Sequence, residues 1–244
     1  MDFESPGRRR HFPQNSVSIV LNEMGDTGRS PPKPQKSGES DGRALRRERT
    51  RKMIIEAFIL VLRERPRVPT VAEIADRAGY AVRTLYLHFP DLPSLAVAAS
   101  DHAISTGLAV SIGDKADADR VTRIRFQAEV RARNCEEWLP MWRLATRYTN
   151  EVPDLARRVA LARRLVLERM QIMYRRELAD LDETQKRAVL LSLEALTDYE
   201  SWGRLRSDHG MSFDEACAFW VAAIDRILPP TPAQTSDAKA APAR

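Results

Sequence analysis

Residues 70–95 read TVAEIADRAGYAVRTLYLHFPDLPSL, and the rest of the chain is organised around them. Thr70 stands three residues before Glu73, the spacing of a capping box, in which each side chain satisfies a free backbone N–H at a helix start. Val71, Ile74, Ala75 and Ala78 then recur at helical spacing. A short helix therefore runs to about Ala78, and Gly79 supplies the positive φ that a sharp turn needs. From Ala81 to Phe89 there is no Gly or Pro, and Leu85 and Phe89 lie one turn apart. Pro90 ends this second helix, because the proline ring disfavours a helical residue before it.

Two short helices joined by a tight turn containing Gly form a helix-turn-helix unit. With Leu85 at the buried back and about 100° per residue, Phe89 falls beside it, and Ala81 and Val82 on its flanks. Arg83 and Leu87 point away. Thr84 and Tyr86 project to either side of that outward pair, with His88 nearer the core. Such a front suits a DNA major groove: Arg pairs bidentately with guanine, Leu meets a thymine methyl, and Thr and Tyr reach phosphates. The plainer reading of the same residues is an ordinary core helix pair, which would not require Gly79 and the aromatic run together.

The segment resembles the DNA-binding region of TetR-type transcriptional regulators. Their pattern, T-V-x-x-I-A-x-x-A-G-V-S-x-x-T-L-Y-x-H-F-x-x-K-x-x-L, is matched in register by Thr70, Val71, Ile74, Ala75, Ala78, Gly79, Thr84, Leu85, Tyr86, His88, Phe89 and Leu95. Three positions depart from it. Tyr80 replaces a small aliphatic residue, Ala81 the capping Ser, and Leu92 a phosphate-touching Lys. Loss of the cap costs about 1 kcal/mol locally.

The net charge of +5 is concentrated at one end: residues 1–52 hold 12 Lys and Arg against 7 Asp and Glu, and the remainder holds 27 of each. A basic excess just before a groove-reading helix favours polyanion binding over a merely solvated surface. Cys135, Cys217 and the four histidines show no metal-ligand spacing, so neither a structural metal nor any other cofactor is expected, and a reducing compartment is. No apolar run approaches the roughly 18 residues of a spanning helix. The opening, with Asp2 and Glu4, has no apolar leader core. A soluble cytoplasmic protein is expected.

Residues 1–41 have the composition of a disordered extension, with GRSPPKPQKSGES and few large apolar groups besides VSIVL. Arg8, Arg9 and Arg10 would add at most a loose electrostatic contact. GDTGRS lacks the G-K-[ST] ending of a phosphate loop. From Gly42, RALRRERTRK leads into a helix whose Ile54, Ala57, Phe58, Val61 and Leu62 form one apolar stripe. Its basic start would lie along the DNA backbone or reach a minor groove. The candidate DNA-contacting set is thus Arg43, Arg46, Arg47 and Arg51 on this arm, with Thr70, Ala81, Val82, Arg83, Thr84, Tyr86, Leu87 and His88 in the helix-turn-helix.

Residues 42–90 then make a three-helix DNA-binding domain, 91–230 an all-helical second domain, and 231–244 a disordered tail; the fold class is all-α. After a connecting helix beginning beyond Asp91, helical patterns cover roughly 118–134, 136–149, 153–179, 183–207 and 213–228. Pro153 suits a first turn, and Asp182 with Gln185 and Ser212 with Glu215 repeat the capping box. Val189, Leu193, Leu196, Tyr199 and Trp202 string along one late helix, and Phe219, Trp220, Ala223, Ile224 and Ile227 along the other. These faces would finish a core or, as the resemblance implies, pack against their symmetry mates in a homodimer, with Val189, Leu193, Leu196, Tyr199, Phe219, Trp220, Ala223, Ile224 and Ile227 as its interface. Two-fold symmetry would bring two recognition helices to half-sites about 34–36 Å apart on a pseudo-palindromic operator.

Trp138, Met141, Trp142, Tyr148, Met170, Met173 and Tyr174 fall on the middle helices, where aromatic and methionine side chains make adaptable walls. They read as core packing or as the lining of a small-molecule effector pocket, which the resemblance implies. The expected function is that of a homodimeric DNA-binding transcriptional regulator, a repressor modulated by an effector. Two alternatives compete with it: a helical small-molecule-binding protein or enzyme with a vestigial helix-turn-helix, and a DNA-coating protein without effector. No G-x-S-x-G, H-E-x-x-H, paired-carboxylate metal motif or dinucleotide fingerprint supports catalysis, so no catalytic residue is assigned.

Overall fold

A computed structural model of the 244-residue chain describes residues 39–65, 67–107 and 110–232. The arginines at 8–10, most of the extension expected at 1–41 and nearly all of the tail expected at 231–244 lie outside these residues. Residues 46–232 belong to one compact unit, and residues 39–45, the opening of the first helix, to another.

Among the described residues the chain is helical with no strand, in the order α1 (Glu39–Glu64), α2 (Val71–Ala78), α3 (Val82–His88), α4 (Leu92–Gly107), a 3-10 turn (Gly113–Asp117), α5 (Arg120–Arg147), α6 (Pro153–Met173), α7 (Glu183–Leu196), α8 (Tyr199–Ser207) and α9 (Phe213–Ile227). Helix α1 begins at Glu39, ahead of the boundary expected at 42. The apolar stripe of α1 is buried from Ile54 to Leu62 and shares one core with Ile74, Leu85 and Phe89. All three expected capping boxes form, at Thr70 with Glu73, Asp182 with Gln185, and Ser212 with Glu215. Asp91 Oδ1 accepts from the Ser94 amide at 2.8 Å and starts α4, and Pro153 occupies the first turn of α6.

The long helices depart from the expected segmentation for local reasons. The break expected near residue 135 is absent: α5 runs from Arg120 through Pro140 to Arg147 as one helix. Pro140 has no N–H, so the Glu136 carbonyl loses its helical partner. The next carbonyl, of Glu137, additionally accepts from Arg63 Nε at 3.1 Å. Helix α6 ends at Met173 rather than 179, and residues 174–180 form turns. Arg175 and Arg176 there bind Asp117, and Glu177 binds Arg123, so tertiary contacts override helical propensity. The single helix expected over 183–207 is two. Thr197 Oγ1 bonds back to the Leu193 carbonyl at 2.8 Å, and Asp198 turns extended and caps α8 by accepting from the Glu200 amide at 2.6 Å.

Helix α5 is the axis of the C-terminal part, with α4, α6, α8 and α9 packed around it. At its start Arg123 and Glu177, both fully buried, are paired, and Thr231 also donates to Glu177. Arg120 reaches the Pro229 carbonyl at 2.6 Å and the Leu228 carbonyl at 3.1 Å. The stretch after α9 is thereby tied to α5. No helix among the described residues is long and apolar enough to cross a membrane.

Candidate nucleic-acid interface and inner cavity

The turn between α2 and α3 is built as its residue types require. Gly79 has φ 72° and ψ 30°, and its N–H returns to the Asp76 carbonyl at 3.1 Å. Tyr80, in place of a small residue, lays its ring against the core, and its hydroxyl donates to Met53 Sδ at 3.4 Å on α1. Ala81 gives α3 no side-chain cap, and its extended backbone alone begins the helix. Leu92, where a phosphate-touching Lys was expected, is half-buried against the core.

The back of α3 is closed by Leu85 and Phe89, each 1% exposed, and its front is open. Leu87 is 69% exposed, Tyr86 51% and Val82 41%. Ala81 and Arg83 are exposed, while Thr84 and His88 are half-buried. The guanidinium of Arg83 forms no ion pair or hydrogen bond with any described residue, and neither do those of Arg46 and Arg47, which are exposed on α1. Arg43 is likewise exposed on the opening of α1.

Two of the candidate DNA contacts are engaged within the fold. Arg51 is half-buried, with its guanidinium carbon 4.2 Å from the Phe89 ring centroid and Nη1 donating to the His88 carbonyl at 3.2 Å. It braces the C-terminal end of α3. Thr70 Oγ1 bonds Glu73, which also gathers Arg65 and Arg67. The hydrogen bonds from Arg67 and from the Thr70 backbone and hydroxyl hold the Glu73 carboxyl down to about 2. Burial, reinforced by Arg47 and Arg51, holds the His88 imidazole below its ordinary value, so it is neutral near pH 7.

Within the C-terminal part, a cavity of about 90 Å³ opens between α4, α5 and α6, with Glu194 and Tyr199 completing its wall. Trp138, Met141 and Trp142 line it as expected. Tyr148, Met170, Met173 and Tyr174 do not. Met170, Met173 and Tyr174 are core residues at 1% exposure or less: Met170 and Met173 continue the α6 face of Val159, Ala162 and Val166 toward its C-terminal end, and Tyr174 follows them, beyond the cavity. Tyr148 is half-buried at the end of α5. The polar part of the lining, Gln127, Arg131, Asn134 and Arg169, was missed. The available signal was Gln127, Arg131, Asn134 and Trp138, at helical spacing on one face of α5.

The residues expected at a dimer interface divide by burial. Leu193, Trp220 and Ile224 are at most 1% exposed, inside the protomer's own core, and Tyr199 is stacked on Trp142 at 4.7 Å beside the cavity. These four face inward, a correction that follows from the break at Asp198 and from Trp220 packing on Trp202 at 4.9 Å. Val189, Leu196, Ala223 and Ile227 are half-buried, and Phe219 is 44% exposed. Leu191 on α7, 45% exposed, was not anticipated.

An amphipathic three-helix head with an open recognition helix, carried on an all-helical bundle with an inner cavity, defines a helix-turn-helix protein with a helical companion domain. No family model matches the sequence, and no curated protein matches it. Among solved structures, a protein from Rhodococcus sp. assigned to the TetR family of transcriptional regulators aligns with 73% of this chain and 98% of its own, at 18% identity and a TM-score of 0.56. A TetR transcriptional regulator from Rhodococcus sp. RHA1 aligns with 73% of this chain and 96% of its own, at 23% identity and a TM-score of 0.45. The multidrug binding protein EbrR, solved with imidazole, aligns with 75% and 97%, at 22% identity and a TM-score of 0.47. The chain has the fold of TetR-family regulators.

Proposed function

We propose that the protein is a sequence-specific DNA-binding transcriptional regulator, a homodimeric repressor whose operator affinity is set by a small molecule in the inner cavity. In this reading residues 42–90 are the DNA-binding domain and the following helices the effector and dimerisation domain. The observation that carries it is the front of α3: Arg83 and Leu87 are exposed without partners on a helix whose back Leu85 and Phe89 close. A guanidinium and an isobutyl group presented this way match a guanine edge and a thymine methyl. Arg46 and Arg47 add the sequence-independent charge that phosphate contacts need. On the dimer surface the exposed groups left to a partner are Leu191 and Phe219, with Val189, Leu196, Ala223 and Ile227 behind them.

One contact supports coupling between cavity and head. Trp138 forms part of the cavity wall, and Arg63 of α1 lies 4.7 Å from its ring centroid while pairing with Glu137 at 2.9 Å. A ligand that moves the indole therefore moves α1, which braces α3. An effector preferring the displaced arrangement lowers DNA affinity by the same differential free energy, about 1–3 kcal/mol. Selection of bound duplexes from a random pool tests the whole reading. A pseudo-palindrome with half-sites about one helical turn apart is expected. Indifference to every duplex at low ionic strength, with a monomer in solution, overturns it.

A further inference from the structure

The inner cavity is lined by more cations than the fold neutralises. Arg158 is held by Asp101 at 2.8 Å, and Arg163 lies 3.9 Å from Glu194. Arg131 and Arg169 have no carboxylate within ion-pair distance among the described residues. Arg131 is 6% exposed. Its Nε donates to the Thr197 carbonyl at 2.9 Å, and its guanidinium carbon sits 4.6 Å from the Tyr199 ring centroid. Arg169 donates through Nε to Gln127 Oε1 at 2.9 Å and through Nη1 to the Val110 carbonyl at 2.8 Å. Arg131 Nη1 and Arg169 Nη2 are buried without any hydrogen-bond partner.

A buried guanidinium with an unmet N–H and no counterion is a costly arrangement, since removal from water penalises the charge and hydrogen bonds to neutral groups return only part of the loss. Burial pulls the Arg169 pKa downward, whereas at Arg131 burial is outweighed by the neighbouring Cys135 and Tyr199 and the net shift is upward. Both arginines line the cavity, and Gln127, which holds Arg169, lies one turn from Arg131 on α5. Toward the C-terminal end of the same helix face the lining becomes Trp138, Met141, Trp142 and Ala145. The α5 wall of the cavity thus runs from polar and cationic side chains to aromatic ones, with Arg163 also lying 5.4 Å from the Trp142 ring centroid.

We infer that this cavity takes a small organic carboxylate, its anionic group answering the free N–H groups of Arg131 and Arg169 and its apolar body lying along Trp138 and Trp142. The inference deepens the effector reading and rests on it for its biological meaning, though not for its chemistry. The room of about 90 Å³ is less than the cavity of about 150 Å³ that admits benzene. A one-ring acid therefore exceeds the room present, and its entry requires repacking of lining side chains, for which the flexible Met141 is the suited one.

The test uses the full chain without DNA, read by tryptophan fluorescence and thermal melting, with sodium benzoate and phenylacetate as probes and benzamide and benzylamine as neutral and cationic controls. Saturable binding of at least one acid is expected, favoured over benzamide by about tenfold or more, with benzylamine excluded. Gln127→Glu, which keeps the side chain's volume and places a carboxylate against Arg169, should weaken the acid about tenfold or more and raise the melting temperature of the ligand-free protein. Benzamide binding as tightly as benzoate, no saturable binding of either acid, or a Gln127→Glu variant with unchanged acid affinity would each overturn the inference. Acid binding that leaves affinity for the selected duplex unchanged supports the carboxylate site and removes the regulatory reading instead.

Discussion

The guanidinium of Arg51 covers the ring of Phe89 at 4.2 Å and donates to the carbonyl of His88, the last residue of α3. One α1 side chain thus fixes both the packing and the end of α3. Arg51→Ala should cost about 1–2 kcal/mol of stability, from the lost cation–π contact and hydrogen bond. DNA binding should weaken with an unchanged slope of log affinity against log salt, because no phosphate contact is lost. A slope that falls by about one would make Arg51 a phosphate ligand instead.

Arg83 is the opposite case, a guanidinium with nothing in the fold to hold. Arg83→Ala should leave the melting temperature unchanged, cost about 1–3 kcal/mol on the cognate duplex and relax preference at one base pair. Equal losses on all sequences, measured by competition between selected and scrambled duplexes, would reduce Arg83 to a backbone contact.

Gly79 holds φ 72° with open space where a Cβ would stand. Strain, not collision, therefore sets the penalty. Gly79→Ala should cost about 1–2 kcal/mol in a denaturant titration, and Gly79→Asn, which tolerates the left-handed region, should recover part of it.

Glu73 titrates with a folded-state value of about 2 against an ordinary 4.5, held down first by Arg67 and then by Thr70. A depressed carboxyl contributes stability that is complete above the unfolded value and lost as pH falls through the folded one. The window is therefore pH 4.5 down to about 2. Glu73→Gln keeps the capping box but should flatten this part of the stability profile, and an unchanged profile in melts across that range would contradict the assignment.

Glu177 is the buried partner of Arg123. Glu177→Ala leaves a fully buried guanidinium without its counter-charge and should cost about 3–5 kcal/mol, read by chemical denaturation. Double substitution with apolar residues of similar volume at 123 and 177 should recover most of that loss.

Legibility in the sequence followed the range of the forces involved. The helix-turn-helix is specified locally, so Thr70, Glu73, Gly79, Leu85 and Phe89 could be placed from spacing alone, and the structure puts them there. Arg51 looked like its neighbours Arg46 and Arg47 because only the tertiary position of Phe89 distinguishes it. Helix ends failed where distant contacts intervene: Glu177 pairs with a residue far back in the chain, and Glu137 accepts from Arg63. The break at Asp198 carries a capping residue type, but apolar periodicity continues through it and masks the boundary. Aromatic and methionine content located one wall of the cavity, at Trp138, Met141 and Trp142. It could not separate them from Met170 and Met173, since these share an α6 face with the lining residues Val159, Ala162 and Val166, and how far along that face the cavity reaches is set by packing between helices.

The strap formed by residues 229–231 has a practical bearing on engineering. Arg120 grips the Pro229 carbonyl and Thr231 reaches the carboxylate of Glu177, so these residues are part of the scaffold despite following the last helix. A reporter or affinity tag joined after residue 232 leaves that strap in place. A junction before Pro229 would strip the Thr231 contact from Glu177 and the Pro229 carbonyl from Arg120 and admit solvent to the Arg123–Glu177 pair, and such fusions should give low yields of intact protein even with every helix encoded.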